Sequence, residues 1–372
     1  MAEEAYNFRP QNIATLKPGV SGLMRVKNDG EFVEACIESC ITALDELIIV
    51  FNDCSDNSEL IIRKCAAKYP EKIRVFEYKA SILANNLTEA EYKEALLLPT
   101  DSPRLLCNYY NYALAKARFT HAVKIDADQI YFTEQLRHWC DIARGKKIKK
   151  RSAECFLGRF LFNIFRLLRK LSIATGRRSY FLGIRWSQRL LKAYRHYAEV
   201  GFSEGSLTVS LSGLNVYRSL AGGWFVPLGL KCEPMNILPP FNGENDHLIF
   251  KISDKTYYRP LVSDYYNLQR SSGFSLIEEM EHPYTPINVG FCWYHLNACR
   301  KSYSEKAEAA FRCHHGSYMS IQEFLSSSFD EIERRSDKTM FTLYQRILFS
   351  FLFENLRIDL SNEKLIFEPK YD

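Results

Sequence analysis

The sequence predicts an α/β protein built on an open, mainly parallel sheet, and three observations predict it. Strand-like and helix-like segments alternate as βαβαβ through the first part of the chain. The strand-like segments are near-continuous apolar runs, as expected for strands covered on both faces. Two of these runs end in carboxylates, at Asp53 and at Asp126-Ala127-Asp128, and open α/β sheets bind ligands at the carboxyl ends of their strands.

Residues 20–26 read as the first strand and residues 29–44 as an amphipathic helix. Asp29 is expected to cap it, and Phe32, Cys36, Ile37 and Cys40 recur at helical spacing. Residues 46–51 form the second strand, apolar from Leu47 through Phe51, and it runs into the polar, turn-rich loop Asn52-Asp53-Cys54-Ser55-Asp56-Asn57-Ser58. A helix over 59–69 and a third strand over 72–78 complete the unit. Residues 121–125 form a further buried strand, and a helix begins at Thr133. Carboxylates leaving a strand end two residues apart can share one hard divalent cation, whose open positions suit phosphate oxygens. Neither GxGxxG nor GxxxxGK[ST] follows the first strand, which counts against a dinucleotide or P-loop site.

Composition narrows the classes. At 372 residues the chain can bury one large core or two modest ones. Its eleven cysteines are scattered without CxxC pairs, and residues 1–20 carry no signal-peptide apolar core, so free thiols and a cytoplasmic protein are expected. Apolar runs are too short for a membrane-spanning helix. The net charge of +5 is unevenly spread: residues 144–195 hold 16 Lys and Arg against one acid, Glu154. Within that stretch, residues 156–171 mix bulky apolar side chains with Arg and Lys. Three readings stand: a helix lying in an anionic membrane surface, a basic helix packed on the sheet, or a nucleic-acid contact. No recognised nucleic-acid module accompanies the stretch, so no nucleic-acid partner is expected.

The second half is read from isolated segments. Residues 211–217 are β-prone and expected to form an edge strand. Around Gly243 a polar turn presents Glu244 and Asp246 before the apolar run that starts at Leu248. Phe291-Cys292-Trp293-Tyr294-His295 places His295 in an aromatic run, as a metal ligand or as a packed core residue. From Ser320 onward, Ile321, Phe324, Leu325, Phe329 and Ile332 follow helical spacing, and a second helix is expected over 338–356. No internal repeat appears.

Four segments resemble the GT-A fold glycosyltransferases, and in particular family 2 of inverting, nucleotide-sugar-dependent enzymes of the bacterial surface-glycan type. Met24-Arg25-Val26-Lys27-Asn28-Asp29 resembles that family's R-x-K-N-E, and the loop over 51–58 resembles V-D-D-x-S-x-D-x-T, one residue shorter. Asn111-Tyr112-Ala113-Leu114-Ala115-Lys116-Ala117 is similar to the N-x-G-l-x-x-A helix, with Asp126 fifteen residues after Asn111. Ala113 in place of Gly, Asn52 in place of the first loop carboxylate, and Tyr110 in place of a basic residue are departures.

The resemblance implies a Rossmann-like mixed sheet with flanking helices, to which the charge distribution adds a basic helical insert and the apolar spacing a helical C-terminal region. Together these give a nucleotide-sugar-binding half over 1–142, the basic amphipathic insert over 143–200, an acceptor-side half over 201–317 and a C-terminal extension over 318–372. Arg25, Asn28 and Asn111 would contact the nucleotide, and Asp53 would accept a hydrogen bond from a uracil imide, although Asp53 alone would equally suit a turn-capping carboxylate. Asp126 would face the ribose or the metal. Asp128 would hold a divalent cation, Mn²⁺ or Mg²⁺, against the diphosphate, with His295 as a further ligand. Asp246, or Glu244 in its place, would deprotonate the acceptor hydroxyl.

The expected partners are a UDP-sugar donor and a glycan or lipid-linked acceptor of surface polysaccharide or lipopolysaccharide synthesis. Residues 144–195 would rest on the inner membrane face, and the C-terminal helices would pack on the catalytic domain or form a homodimer contact. Two rival classes remain. A nucleotidyltransferase normally has a Gly-rich, basic loop after its first strand, where this chain has one glycine, Gly30. A non-catalytic glycan- or membrane-binding protein would not need Asp53, Asp126 and Asp128 together at strand ends.

Overall fold

A computed structural model of the chain describes residues 6–10, 13–84, 87–146, 150–175, 186–229, 239–261, 274–313, 317–336 and 342–359; within these, the side chains of 173–175, 244–246, 303 and 354–359 are left aside. The chain divides into two compact units, residues 1–127 with 248–285, and residues 128–247 with 286–372. The crossings fall at 127/128, 247/248 and 285/286, so the boundaries expected at 142/143, 200/201 and 317/318 all lie within the second unit.

In the first unit, β1 (Lys17–Val26), α1 (Val33–Cys40), β2 (Glu46–Phe51), α2 (Ser58–Lys68) and β3 (Ile73–Glu77) form the βαβαβ pattern. It continues through α3 (Glu89–Leu97), α4 (Leu106–Ala115) and β4 (Phe119–Asp126). The strands lie in the order β3-β2-β1-β4, all parallel. β4 then pairs antiparallel with the part of β9 (Phe241–Lys251) that begins at Leu248. All six residues of β2 are buried, which is why its sequence is an unbroken apolar run after Glu46. Leu23, Ile48, Val50 and Phe250 pack with Tyr78, Tyr109 and Tyr112 in the core. A short hairpin, β10 (Tyr257–Leu261) with β11 (Ile277–Glu281), packs against α4.

Register fixes what the strand ends present. Val26 pairs with Phe51, and Arg25 pairs with both Val50 and Asp126. β1, β2 and β4 therefore end along one edge, which brings the loops carrying Asn28 and Asp53 beside Asp126. One expectation is corrected here. Asp29 does not cap α1: its carbonyl accepts from the Phe32 and Val33 amides in a preceding turn, and the residue before the helix, Phe32, makes no side-chain cap.

In the second unit, β5 (Gln129–Tyr131), β6 (Leu207–Asn215) and β12 (Thr285–His295) join the N-terminal part of β9 in the order β9-β6-β12-β5. A smaller sheet has the order β13 (Tyr318–Ser320), β8 (Trp224–Pro227), β7 (Tyr217–Arg218). β6 is thus an interior strand, buried at every residue, and not the expected edge. Residues 241–251 form a continuous strand, so the polar turn expected around Gly243 is not a turn.

The helices of this unit are α5 (Thr133–Ala143), α6 (Ala153–Thr175), α7 (Gln188–Ser203), α8 (Ser304–Cys313), α9 (Ile321–Ser326), α10 (Phe329–Arg335) and α11 (Leu343–Asp359). α6 lies so close to α7 that a Cβ at Gly158 would sit 2.2 Å from the Ala193 carbonyl. Phe165 of α6 packs on Trp186, Tyr194 and Phe351. The single helix expected from Ser320 is split into α9 and α10. Ser320 and Ser328 each accept from the backbone amide three residues on, so each starts a new helix. The start of the expected second C-terminal helix, residues 338–341, lies outside the described residues, and α11 begins at Leu343. Every described cysteine is a free thiol.

Candidate functional site

In the first unit, a buried charge cluster forms at the carboxyl ends of β1 and β4. The Arg25 guanidinium lies 3.3 Å from the Tyr110 ring centre, donates to the Tyr110 hydroxyl, and is 3.6 Å from Glu278 of β11. Lys124 Nζ lies 3.7 Å from both Asp126 Oδ2 and Glu278 Oε1. The Tyr110 hydroxyl is 3.4 Å from Asp126 Oδ1. Two cations thus face two carboxylates around one phenol. Burial opposes the charge on Arg25, but the neighbouring groups, the Glu278 and Asp126 carboxylates among them, outweigh it and raise its pKa. Burial pushes the Tyr110 phenol well above its ordinary value, so it stays protonated and serves as a donor. The Nε of Arg25 is buried without a hydrogen-bond partner.

The β2 loop is shaped by two left-handed residues, Asn28 (φ 57°) and Asp53 (φ 43°), a conformation available to Asn and Asp at small cost. Asn28 Oδ1 accepts from the Ser55 amide at 2.8 Å, tying the β1 exit to the β2 exit. Asp53 is left projecting, its side chain 89% exposed and 3.6 Å from Lys27. Asn52, which replaces the loop's first carboxylate, is buried and donates to the carbonyls of Tyr78 and Ala80. Asn111 is used internally: its amide donates to Tyr258 O at 2.7 Å and to Asn108, and accepts from Tyr258 N at 2.7 Å. These bonds fasten α4 to β10.

In the second unit, Asp128 precedes β5, and its carbonyl accepts from Leu296 N just past the end of β12. That backbone bond brings residues far apart in sequence together. Asp128 Oδ2 lies 3.5 Å from His295 Nε2 and 2.9 Å from Arg300 Nη2. His295 Nδ1 is 2.7 Å from Asn215 Oδ1, and the Asn215 amide nitrogen donates to Pro239 O, which orients its oxygen toward the ring. We assign the ring proton to Nδ1 from this short contact; Asn242 Nδ2 is farther, at 3.3 Å. With the proton on Nδ1, a neutral ring would turn an unprotonated Nε2 toward Asp128, the form a metal ligand needs.

Trp293 donates to Asn242 at 3.2 Å, and a Cβ at Gly213 would sit 2.0 Å from the Trp293 Nε1. The glycine of β6 therefore makes room for the indole that supports the His295 neighbourhood. Gln129 lies 2.9 Å from His247 and accepts from the Tyr131 hydroxyl.

Asp128 and His295, predicted from sequence to act together, are thus adjacent. Arg25 and Asp126 share Tyr110. The side chains of Glu244 and Asp246 lie outside the described residues. Sequence reasoning missed Lys124, Tyr110, Glu278 and Arg300 as members of these clusters. Lys124 carried a signal, since a lysine inside an apolar strand run needs a buried counter-charge.

A carboxylate and a neutral imidazole suit Mn²⁺ better than Mg²⁺. Among the described residues no group of three or more His, Cys, Asp and Glu completes a metal cage. A cation held by this pair alone would need phosphate oxygens and water in its other positions.

A parallel βαβαβ sheet with acidic strand ends has the GT-A fold, and a glycosyltransferase family model matches over that same region. Residues 11–152 match the model of the beta-1,4-N-acetylgalactosaminyltransferase (CgtA) family. No curated protein matches the chain. Among solved structures, glucosyl-3-phosphoglycerate synthase from Mycobacterium tuberculosis with UDP is 20% identical, over 30% of this chain and 34% of that one, at a TM-score of 0.20. The same enzyme with Mn²⁺, UDP-glucose and glycerol 3-phosphate is 21% identical, over 30% and 35%, also at 0.20. A further mycobacterial protein is 17% identical over 30% and 32%, at 0.20. The chain spans about a third of the length of these structures, and the superpositions add nothing to the assignment. No helix among the described residues is long and apolar enough to cross a membrane.

Proposed function

We propose that the protein transfers a sugar from a UDP-sugar to a hydroxyl of a glycan or lipid-linked acceptor, with inversion and with help from a divalent cation. The observation that carries this reading is His295 Nε2 at 3.5 Å from the Asp128 carboxylate, between residues distant in sequence. The family match supports a UDP-N-acetylhexosamine as the first donor to try, and N-acetylgalactosamine before the others.

In this reading Asp128 and His295 hold the cation. When bound, that cation offsets the charge that builds on the departing diphosphate. Asp126 takes the ribose and Asp53 the imide of the base, for which its exposure suits it. Arg25, kept cationic and held by Tyr110 and Glu278, supplies a fixed positive charge near Asp126. Asp246, or Glu244, takes the proton of the attacking hydroxyl. A surface-polysaccharide or lipopolysaccharide role follows from the acceptor class.

A second reading is favoured by one contact, Arg300 at 2.9 Å from Asp128. There the guanidinium supplies the positive charge facing the diphosphate, and no metal is needed. One experiment separates the two. Melting temperature is measured with UDP, GDP and CDP, with Mn²⁺ or with EDTA, for the parent, Asp128→Ala and Arg300→Gln. Stabilisation by UDP that requires Mn²⁺ and vanishes in Asp128→Ala supports the metal reading. UDP stabilisation that survives EDTA and vanishes in Arg300→Gln supports the second. If no nucleotide stabilises the parent, both are wrong.

A further inference from the structure

Helix α6 carries an apolar stripe on the side away from its packed face. Phe156 (76% exposed), Phe160 (61%), Ile164 (37%), Leu167 (58%) and Leu171 (50%) are all open to solvent. At roughly 100° per residue they fall within an arc of about 80°. The opposite side is spent on packing: Cys155, Leu161, Phe162 and Phe165 are buried, and α6 packs along α7 and against α11. The stripe is thus an addition to the amphipathic pattern that folding requires. Contiguous exposed apolar side chains on this scale mark an interaction surface.

Charge identifies the partner. Arg159, Arg166 and Lys170 are exposed and cluster on one border of the stripe, within roughly 40° of one another. The only acid of α6 is Glu154, near its start. Two copies joined through this stripe would bring like charges together, with few acids to answer them. An anionic lipid surface satisfies both features, because its acyl boundary takes the Phe and Leu side chains while its headgroups take the cations.

We propose that α6 docks the protein on an anionic bilayer, lying in the plane of the interface along the Phe156–Leu171 stripe. Gly158 sets the geometry, since its lack of a side chain lets α7 hold α6 rigidly from behind. The surface is pre-formed, so docking pays little ordering entropy. The inference is independent of the sugar-transfer reading, because vesicle binding is measured without donor or acceptor.

The test is co-sedimentation of the full chain with vesicles of phosphatidylcholine and phosphatidylglycerol in equal parts, and with phosphatidylcholine alone. The parent is expected to pellet only with the anionic vesicles, and less so at about 0.5 M salt. Phe160→Ser with Leu167→Ser, and separately Arg166→Glu with Lys170→Glu, each weaken binding by at least roughly tenfold. All four positions are exposed, and an unchanged melting temperature confirms that both double variants fold. Absence of vesicle binding by the parent overturns the proposal, and so does equal binding by the Ser double variant. A dimer in sedimentation velocity that the Ser pair abolishes, without vesicle binding, would also overturn it and assign the stripe to a second copy.

Discussion

Replacing Glu278 by Gln removes one charge from the buried cluster and leaves its shape intact. In the parent, Glu278 Oε1 is 3.6 Å from Arg25 and 3.7 Å from Lys124, with Asp126 as the second carboxylate. The four side chains are 6–29% exposed, so water screens them only in part. At an effective dielectric of 20, each contact is worth about 4 kcal/mol of gross Coulomb energy. Most of that is offset by the desolvation already incurred. Losing one partner of a buried pair costs about 3–5 kcal/mol, and the partial exposure brings the expectation for Glu278→Gln to about 3 kcal/mol.

The assay is urea unfolding followed by far-UV circular dichroism. All four tryptophans, Trp139, Trp186, Trp224 and Trp293, lie in the second unit, so their fluorescence would not follow the first. Adding Lys124→Met to Glu278→Gln restores balance between one cation and one carboxylate and is expected to recover at least half of the loss. A cost below about 1 kcal/mol for the single variant would refute the charge argument. A double variant no better than the single one would refute it as well.

Three further outcomes are expected. Gly213→Ala drives a methyl into Trp293 and is expected to cost about 2–4 kcal/mol, from overpacking and the Trp293–Asn242 hydrogen bond together; a wild-type urea midpoint would disprove this. Asn111→Ala should lower stability by about 2 kcal/mol while leaving UDP affinity unchanged in the folded fraction, and isothermal titration of the variant checks it, since a nucleotide contact would lower the affinity too. Burial, helped by Lys251, pushes the His121 imidazole down to about 4. Against an unfolded value of about 6.5, the fold refuses a proton that the unfolded chain accepts. Stability is therefore expected to fall by about 1–2 kcal/mol as pH drops from about 6.5 toward 4, and to level off below. His121→Asn should flatten that slope in melting curves taken at neutral and mildly acidic pH.

The first unit was the more legible because its strands are covered on both faces, and burial on two sides writes a continuous apolar run. Glu46–Phe51 is found with the expected bounds for that reason. The second unit hid its strands behind polar residues that serve packing. Asn242-Gly243 looks like a turn, yet Asn242 bonds Trp293, and a Cβ at Gly243 would sit 2.6 Å from the same indole. In a strand, such a glycine marks close approach and not reversal. The helical spacing of 321–332 ran straight through Ser327 and Ser328 because periodicity does not register a serine cap when the next helix continues in phase. The interior place of β6 depends on strand order, which no single segment encodes.

Pairing of Asp128 with His295 was legible only through the family resemblance, since residue types alone left His295 open between a ligand and a packed core residue. Arg300 was not legible, because nothing local distinguishes an arginine that reaches back to a distant carboxylate from one in solvent. Glu278 escaped notice for the same reason: its partners come from β1 and β4.

The thiols offer a consequence of their own. Cys313 is exposed, while Cys54 is half-buried in the loop beside Asp53, and burial, reinforced by Asp56 and Asp29, raises its pKa. Since the thiolate is the reacting form, Cys54 should alkylate slowly at neutral pH, and Cys313 should report how much reagent is present. Among the described cysteines the pair is a native two-channel clock that needs no engineered label. A nucleotide settling on the Asp53 loop would change the pace of the slow channel and leave the fast one unaltered.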